Sequence, residues 1–271
     1  MSDSWHSDRI EKPACYWKDE RLDPQPTFRS RKCLEVSGTE RREIEADVAV
    51  EVNLSIMVNG SCMTALAALP DHLKELAVGF LVCEGVVSSF QEISSVKVDG
   101  NSLICETRDQ KALPWKGHQC CSVGGNSTEG LKTVVSDLKM KSEDLLRAVG
   151  GLNENALLWR RTGATHMSII CNARGESLAS CEDVSRSSSV DKTVGQALLS
   201  GADLSRCALI TSGRLSGVMV AKAARAGFPI LVSKSAAMNS GVELAEKIGM
   251  TLVAFARSPN LYIYTEVGRV L

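Results

Sequence analysis

From residue 47 the chain alternates apolar and polar side chains. The stretch "DVAVEVNLSIMVNG" carries this period of two and ends on Asn59-Gly60. Such a period predicts a half-buried strand, and the dipeptide suits a two-residue hairpin turn. "SCMTALAAL" is the predicted return strand. After Pro70-Asp71 the period lengthens, with Leu73, Leu76, Ala77, Phe80 and Leu81 at helical spacing and Gly85 placed to close the helix. "ISSVKV", Asp99-Gly100 and "SLICET" predict a second hairpin.

Beyond Gly163 the pattern changes. "THMSIICNARGESLASC" predicts a hairpin turning at Asn172 to Gly175. Helical patterns ("SVDKTVGQALLSG", "SGVMVAKAARAG", "NSGVELAEKIG") then alternate with apolar strands ("CALITSG", "FPILVSK", "MTLVAFA"), and "LYIYTE" is a short last strand. Strands alternating with helices predict a three-layer α/β unit with a mostly parallel sheet. Between the two patterned regions, "EDLLRAVGGLNENALLWRRTG" is helical in its first part and interrupted at Gly150-Gly151. The chain therefore divides into a polar, proline-bearing arm (1–42), a small α+β domain (43–107), a mobile cysteine-bearing loop (108–135) and an α/β domain (136–271).

Composition adds little to that picture. Of 271 residues, 44% are hydrophobic and 23% charged, as in an ordinary globular protein, and the net charge of -1 supplies no basic field for nucleic acid. No apolar run reaches the length of a membrane span, and "MSDSWHSDRI" lacks the apolar core of a secretory signal. Ten cysteines without an export signal predict reduced thiols in the cytoplasm. Cys62, Cys83, Cys105, Cys171 and Cys207 lie in apolar stretches and are expected to be buried. No CxxC occurs and the four histidines are scattered, so no structural metal is expected.

Five stretches could carry chemistry, each beside a plainer reading. In "ITSGRLSG", Ser212, Gly213 and Arg214 follow a strand and precede a helix, where anions bind; an ordinary capped helix fits as well. "CEDVSRSSSVDK" sets Glu182, Asp183 and Arg186 before a helix, as ligand contacts or as a serine-rich cap with surface ion pairs. His166 opens a core strand, as a site residue or as a satisfied hydrogen-bonder. In "FARSPN", Arg257 ends a strand and could meet phosphate, or residues 258–260 form a surface turn. Finally, "GHQCCSVGGNSTEG" sets Cys120 and Cys121 among glycines with Lys116 and His118 close by. A movable, accessible thiolate could carry sulfur as a persulfide, or the pair is incidental to a linker.

Several of these stretches, in order, resemble the formate dehydrogenase accessory sulfurtransferases, the FdhD family. The resemblance runs from about residue 45 to the C-terminus. It rests on "VNGSCMTALAALPDHLKELAVGFLVCEGVV", "TGATH", "EDVSRSSSVDK" and the run from "TSGRLSG" through "FARSPNLYIYT". It implies a small first domain and a second, three-layer domain of cytidine-deaminase-like fold. It implies a sulfur carrier that takes persulfide sulfur from a cysteine desulfurase. The sulfur then passes to the molybdenum or tungsten bis(molybdopterin guanine dinucleotide) cofactor, activating formate dehydrogenase.

By the same resemblance Cys121 is the persulfide cysteine. Residues Phe255, Ala256, Arg257, Ser258, Pro259 and Asn260 match the cofactor-binding segment, and Ser212, Gly213, Arg214, His166, Glu182, Asp183 and Arg186 are pocket candidates. The chain departs from the family pattern at three places. Gly124 stands where a second motif cysteine is usual, Ser185, Ser187 and Ser188 replace glycine, histidine and asparagine, and Ala237-Met238 replaces proline-threonine. A binding or chaperone paralogue without sulfur transfer is therefore a second expectation. A zinc deaminase, suggested by fold alone, lacks its His-x-Glu and Pro-Cys-x-x-Cys ligands here. A two-fold homodimer is the expected assembly on base rates.

Overall fold

The structure is a computed structural model and describes residues 25–109 and 130–271. The described residues form three sheets. Strands β1 (Phe28–Ser37) and β2 (Glu40–Ala49) pair as an antiparallel ribbon. Residues 28–42, expected within a polar arm of little structure, thus form most of a hairpin. Charged side chains occupy both faces of this ribbon, so its sequence lacks a buried stripe. It is pinned to the body by Arg161, which bonds Asp47 and lies 3.6 Å over the Phe28 ring.

The second sheet has the order β4-β3-β6-β5, from β3 (Val52–Val58), β4 (Ser61–Ala68), β5 (Ile93–Asp99) and β6 (Ser102–Thr107). Both predicted hairpins are present, and Asn59 and Gly60 take the positive φ values of a tight turn. Leu54, Ile56 and Val58 face helix α1 (Leu73–Cys83), as the period of two requires.

The third sheet has the order β12-β11-β10-β9-β7-β8. Its strands are β7 (His166–Cys171), β8 (Ser177–Asp183), β9 (Ala208–Thr211), β10 (Ile230–Ser233), β11 (Thr251–Arg257) and β12 (Asn260–Thr265). It is mixed rather than mostly parallel. Strands β8, β9, β10 and β11 run the same way, while β7, between β8 and β9, and β12 at the far edge run antiparallel to them. The hairpins β7-β8 and β11-β12 set those two opposed directions, since a hairpin can only join antiparallel neighbours.

Helices cover both faces of this sheet, giving the three layers expected. Helix α2 (Ser142–Asn155) sets Leu145, Ala148, Val149 and Leu152 against Ile169, Ile210 and Val232. It runs through Gly150-Gly151 without interruption. A side chain at Gly151 would meet Ile169 at 3.3 Å, so the small residue lets helix and strand approach. The short helix α3 (Leu157–Thr162) follows. On the other face lie α4 (Arg186–Leu199), α5 (Gly217–Ala226) and α6 (Asn239–Ile248), packed on Ile170, Leu209, Leu231 and Leu252.

Helix α1 lies between the small sheet and α4. The two helices touch backbone to backbone: a Cβ at Gly79 would fall 1.7 Å from the Asp191 carbonyl oxygen, and one at Gly195 1.9 Å from that of Glu75. Two buried lysines lock the same junction. Lys192 Nζ meets Asp183 at 2.8 Å, Asp71 at 2.7 Å and the Leu69 carbonyl at 3.1 Å. Lys222 Nζ meets Asp191 at 2.8 Å and Glu84 at 2.7 Å. Burial pushes the Asp191 carboxyl up to about 6, with Lys222 pulling the other way. Buried charges require such pairing.

The seven cysteines in the described residues are all free. Cys83, Cys105, Cys171 and Cys207 are buried as expected, and Cys181 with them. Cys62 is exposed, a correction to the sequence reading, because it sits near the turn end of the edge strand β4. Among the described residues no helix is long and apolar enough to cross a membrane.

Candidate functional site

Strands β9, β10 and β11 end together, and the residues that follow them form one edge. Ser212, Gly213 and Arg214 leave β9, Lys234 leaves β10, and Phe255 to Arg257 close β11. Because these three strands are parallel, Arg214 and Arg257 belong to the same edge, the usual binding edge of an α/β sheet. A cleft of about 310 Å³ opens there. Trp159, Thr165, His166, Ser212 and Lys234 are among its lining residues.

Each wall is held by hydrogen bonds. The Ser212 hydroxyl lies 3.2 Å from His166 Nδ1 and accepts from the Met167 amide at 3.0 Å, fixing the imidazole at the cleft floor. Lys234 Nζ donates to Asn153 Oδ1 at 2.9 Å and lies 5.4 Å from the Trp159 ring centroid. Arg257 Nε donates to the Lys234 carbonyl at 3.0 Å, tying β11 to the same loop. Gly213 is required where it is, since a Cβ there would stand 2.8 Å from that of Arg186.

The cleft is cationic. Burial, then Arg186, then Lys234, hold the His166 imidazole below its ordinary value. Burial and Arg257 likewise lower Lys234. Neighbouring carboxylates do not answer these charges, because they are engaged elsewhere. Both Glu182 oxygens turn to α3, accepting from the Leu158 and Trp159 amides at 2.8 Å each and from Thr165 Oγ1 at 2.7 Å. Asp183 is buried on Lys192 and also accepts from the Leu69 and Ser185 amides.

The structure therefore sorts the candidate residues. His166, Ser212, Gly213 and Arg257 gather at the edge, and Arg186 faces it across Gly213. Arg214 is exposed beside them. Glu182 and Asp183 shape the site from behind and present no free oxygen to the cleft. Ala256 is fully buried and its side chain packs in the core under α2. Phe255 is exposed at a φ of +47°, rare for a residue with a side chain, and meets Tyr262 edge to face at 5.9 Å. Residues 258–259 make the turn into β12. Ser185 is the N-cap of α4, accepting from the Ser188 amide at 3.4 Å. Cys120 and Cys121, with Lys116, His118 and Gly124, lie outside the described residues.

Sequence reasoning missed Trp159 and Lys234. Trp159 sits in a polar, arginine-bearing stretch without periodic signal, and Lys234 looks like any solvated strand end. The available signal was position: Lys234 follows the strand next to β9, so it had to reach the same edge as Ser212.

Fold and cleft together define a three-layer α/β protein whose cleft opens where its parallel strands end. The chain belongs to the FdhD/NarQ family, whose model matches residues 49–271. Two similar relatives are each called sulfur carrier protein FdhD. The one from Methanothermobacter thermautotrophicus is 30% identical over 86% of this chain and 94% of its own. That from Wolinella succinogenes is 31% identical over 83% of each. Among solved structures, one described as a formate dehydrogenase accessory protein from Desulfotalea psychrophila superposes with a TM-score of 0.79. It is 25% identical and covers 91% of this chain and all of its own.

Proposed function

We propose that the chain is a cytoplasmic sulfur carrier for formate dehydrogenase, acting as a sulfurtransferase through a persulfide on Cys121. The Cys121 thiolate attacks the outer sulfur of a cysteine desulfurase persulfide. A new S–S bond forms, the donor's S–S bond breaks, and the donor thiolate leaves, with no net redox change. The outer sulfur would then pass to the molybdenum or tungsten bis(molybdopterin guanine dinucleotide) cofactor as acceptor substrate: the Cys121 S–S bond breaks, Cys121 leaves as thiolate, and the acceptor's reduced metal would supply the two electrons that take the sulfane sulfur to sulfide. Residues 255–260 with Ser212, Gly213, Arg214 and Arg186 hold the anionic cofactor at the sheet edge.

The observation that carries this reading is the cationic edge cleft in a chain related over most of its length to sulfur carriers. The buried thiols support it indirectly. Burial pushes Cys105, Cys171 and Cys181 up to about 12, so they are not thiolates at neutral pH. Incubation with a desulfurase and cysteine is expected to add the mass of one sulfur atom to the intact protein. Cys121→Ser abolishes that gain and Cys120→Ser does not; equal loading of both variants overturns the assignment.

A second reading, a binding or chaperone paralogue, draws on Gly124 and on Ser187 and Ser188 in place of the family residues. It predicts guanine nucleotide binding with no mass gain in the same assay.

The edge also predicts a pH dependence. In the free protein the His166 imidazole is held below its ordinary value by burial, by Arg186 at the start of α4 and by Lys234 after β10. Ser212 is its neutral neighbour. A bound phosphate strengthens the imidazole's hold on its proton, so binding takes up a proton and tightens as pH falls through the bound imidazole's range toward the lower range of the free one. Each tenfold gain in that proton affinity is worth up to about tenfold in phosphate affinity. GDP titrations at pH 8 and pH 5.5 measure it. Wild type is expected to gain more affinity on acidification than His166→Gln, and identical gains would show that His166 does not face the phosphate.

A further inference from the structure

A row of hydroxyls crosses the α/β sheet beneath its binding edge, and packing alone does not call for it. Ser168 on β7, Thr211 on β9 and Ser233 on β10 are register partners on neighbouring strands, and all three are fully buried. Thr211 and Ser233 each end their strand, directly after the core residues Ile210 and Val232. A buried hydroxyl costs stability unless it is bonded, so an apolar side chain would fill these places as well. Polar residues kept in a core mark places where function overrides the packing rule.

The hydrogen bonds of the row lead to each part of the edge. At one end Ser168 Oγ lies 2.9 Å from Ser189 Oγ, which donates to the Arg186 carbonyl at 3.0 Å. Ser168 Oγ also lies 3.3 Å from Thr211 Oγ1, which accepts from the Gly213 amide at 3.1 Å. Ser233 Oγ donates to the Gly213 carbonyl at 2.6 Å and accepts from the Ser235 amide at 2.9 Å. The Ser235 carbonyl in turn accepts from the Phe255 amide at 2.9 Å. One chain of bonds thus runs from Arg186, through Gly213, to Phe255.

Both ends of its central link are constrained. Gly213 is buried, and its amide and carbonyl are both taken by hydroxyls of the row. Buried peptide groups need partners, and these partners fix the peptide that joins Gly213 to Arg214. Phe255 holds a φ of +47°, which a residue with a side chain keeps only where its surroundings impose it. Its amide is held by Ser235, and the Ser235 amide by Ser233. The two bonds of the Ser233 hydroxyl therefore connect the loop after β9 to the loop after β11. We infer that Ser233, together with Thr211, is a positioning residue of the acceptor site: it keeps Arg214 and residues 255–260 in register so that both meet one ligand. Neither hydroxyl touches the ligand; they act through Gly213 and Ser235. The role rests on the reading of the edge as the acceptor site and adds what holds its separate loops together.

The test measures GDP affinity by calorimetry on the full chain, with each variant held well below its own unfolding midpoint. A hydroxyl that only stabilises the fold lowers that midpoint and leaves the affinity of the folded protein alone. Ser233→Ala is expected to weaken GDP at least about fivefold, the worth of one well-placed hydrogen bond. Thr211→Val removes the hydroxyl and keeps the shape, and it should weaken GDP alike. Thr211→Ser keeps the hydroxyl and should bind within about twofold of wild type. In an Arg214→Ala background the loss from Ser233→Ala should shrink to about twofold, because the loop it aims no longer carries its cation. Wild-type affinity in Ser233→Ala and Thr211→Val overturns the positioning role and leaves the acceptor site standing. An equal loss with and without Arg214 also overturns it. Should Ser233→Ala fail to fold, the Thr211 pair decides, and equal affinity of its Val and Ser variants overturns the role. Absence of GDP binding in the wild type overturns the acceptor site and the role of the row together.

Discussion

Gly195→Ala is expected to cost at least about 3 kcal/mol of folding stability, more than its single methyl group suggests. The new Cβ would stand 1.9 Å from the Glu75 carbonyl oxygen and 2.9 Å from its Cα. Both are backbone atoms of α1, so no side chain can swing aside. The helices must separate, and every contact across their interface loosens with them. Those contacts include Asp183 with Leu69 and Lys192 with Asp71, which fasten the small sheet to the α/β layers. In an ordinary exposed helix the same change would stabilise by about 1 kcal/mol, since alanine is the better helix former. The sign of the effect therefore reports the crossing itself. Gly79→Ala is expected to behave alike, its Cβ falling 1.7 Å from the Asp191 carbonyl oxygen. The double variant should cost less than the sum, because helices already forced apart have room for the second methyl. Urea unfolding of the three variants measures this. A loss below about 1 kcal/mol for either single variant would show that the helices separate easily.

How much of this was legible depends on what each residue faces. Leu54, Ile56 and Val58 could be read because one side of β3 is buried and the other is not, which writes a period of two into the sequence. Asn59-Gly60 could be read because few residue pairs tolerate its backbone. The ribbon of β1 and β2 could not, since a hairpin outside the core leaves no apolar stripe. The uninterrupted course of α2 through Gly150-Gly151 was hidden for a related reason. Glycine normally ends helices, but here Gly151 is the face that touches Ile169. Strand direction was legible only in part: helical crossovers fixed β8, β9, β10 and β11, and the antiparallel β7 and β12 gave no separate signature. At the site, the motif "EDVSR" marked the right neighbourhood and hid the division of labour. Glu182 and Asp183 are adjacent on β8 and point to opposite faces, one clamping α3 and the other meeting Lys192. Arg186, three residues on, is the member that meets the edge.

That division of labour makes Lys192→Met the most informative change at the junction. Lys192 is fully buried and its ammonium is shared by Asp183, Asp71 and the Leu69 carbonyl. Methionine nearly matches its volume, so the substitution removes the charge with little cavity. It leaves the Asp183 carboxylate, itself fully buried, without a counter-ion, and breaking a buried pair this way costs about 3–5 kcal/mol. The pH dependence separates this cause from a packing defect. Burial already raises the Asp183 carboxyl above its ordinary value, and Lys192 is the largest influence lowering it. Without Lys192 the folded-state value rises further above the unfolded one. The native variant then binds the proton more tightly than the unfolded chain, so its deficit is full at high pH and shrinks as pH falls through the raised value. Unfolding at pH 8 and pH 5 is the measurement: the gap between wild type and Lys192→Met should narrow by at least about 1 kcal/mol at the lower pH. A gap that stays constant would mean Asp183 keeps a counter-charge or was never ionised. The outcome also bears on the site. Asp183 accepts from the Ser185 amide at the start of α4, and Arg186 is the next residue. A carboxyl that protonates in the variant is expected to loosen that cap and move Arg186 away from Gly213, so weakened GDP binding should accompany the lost stability while Cys121 still loads with sulfur.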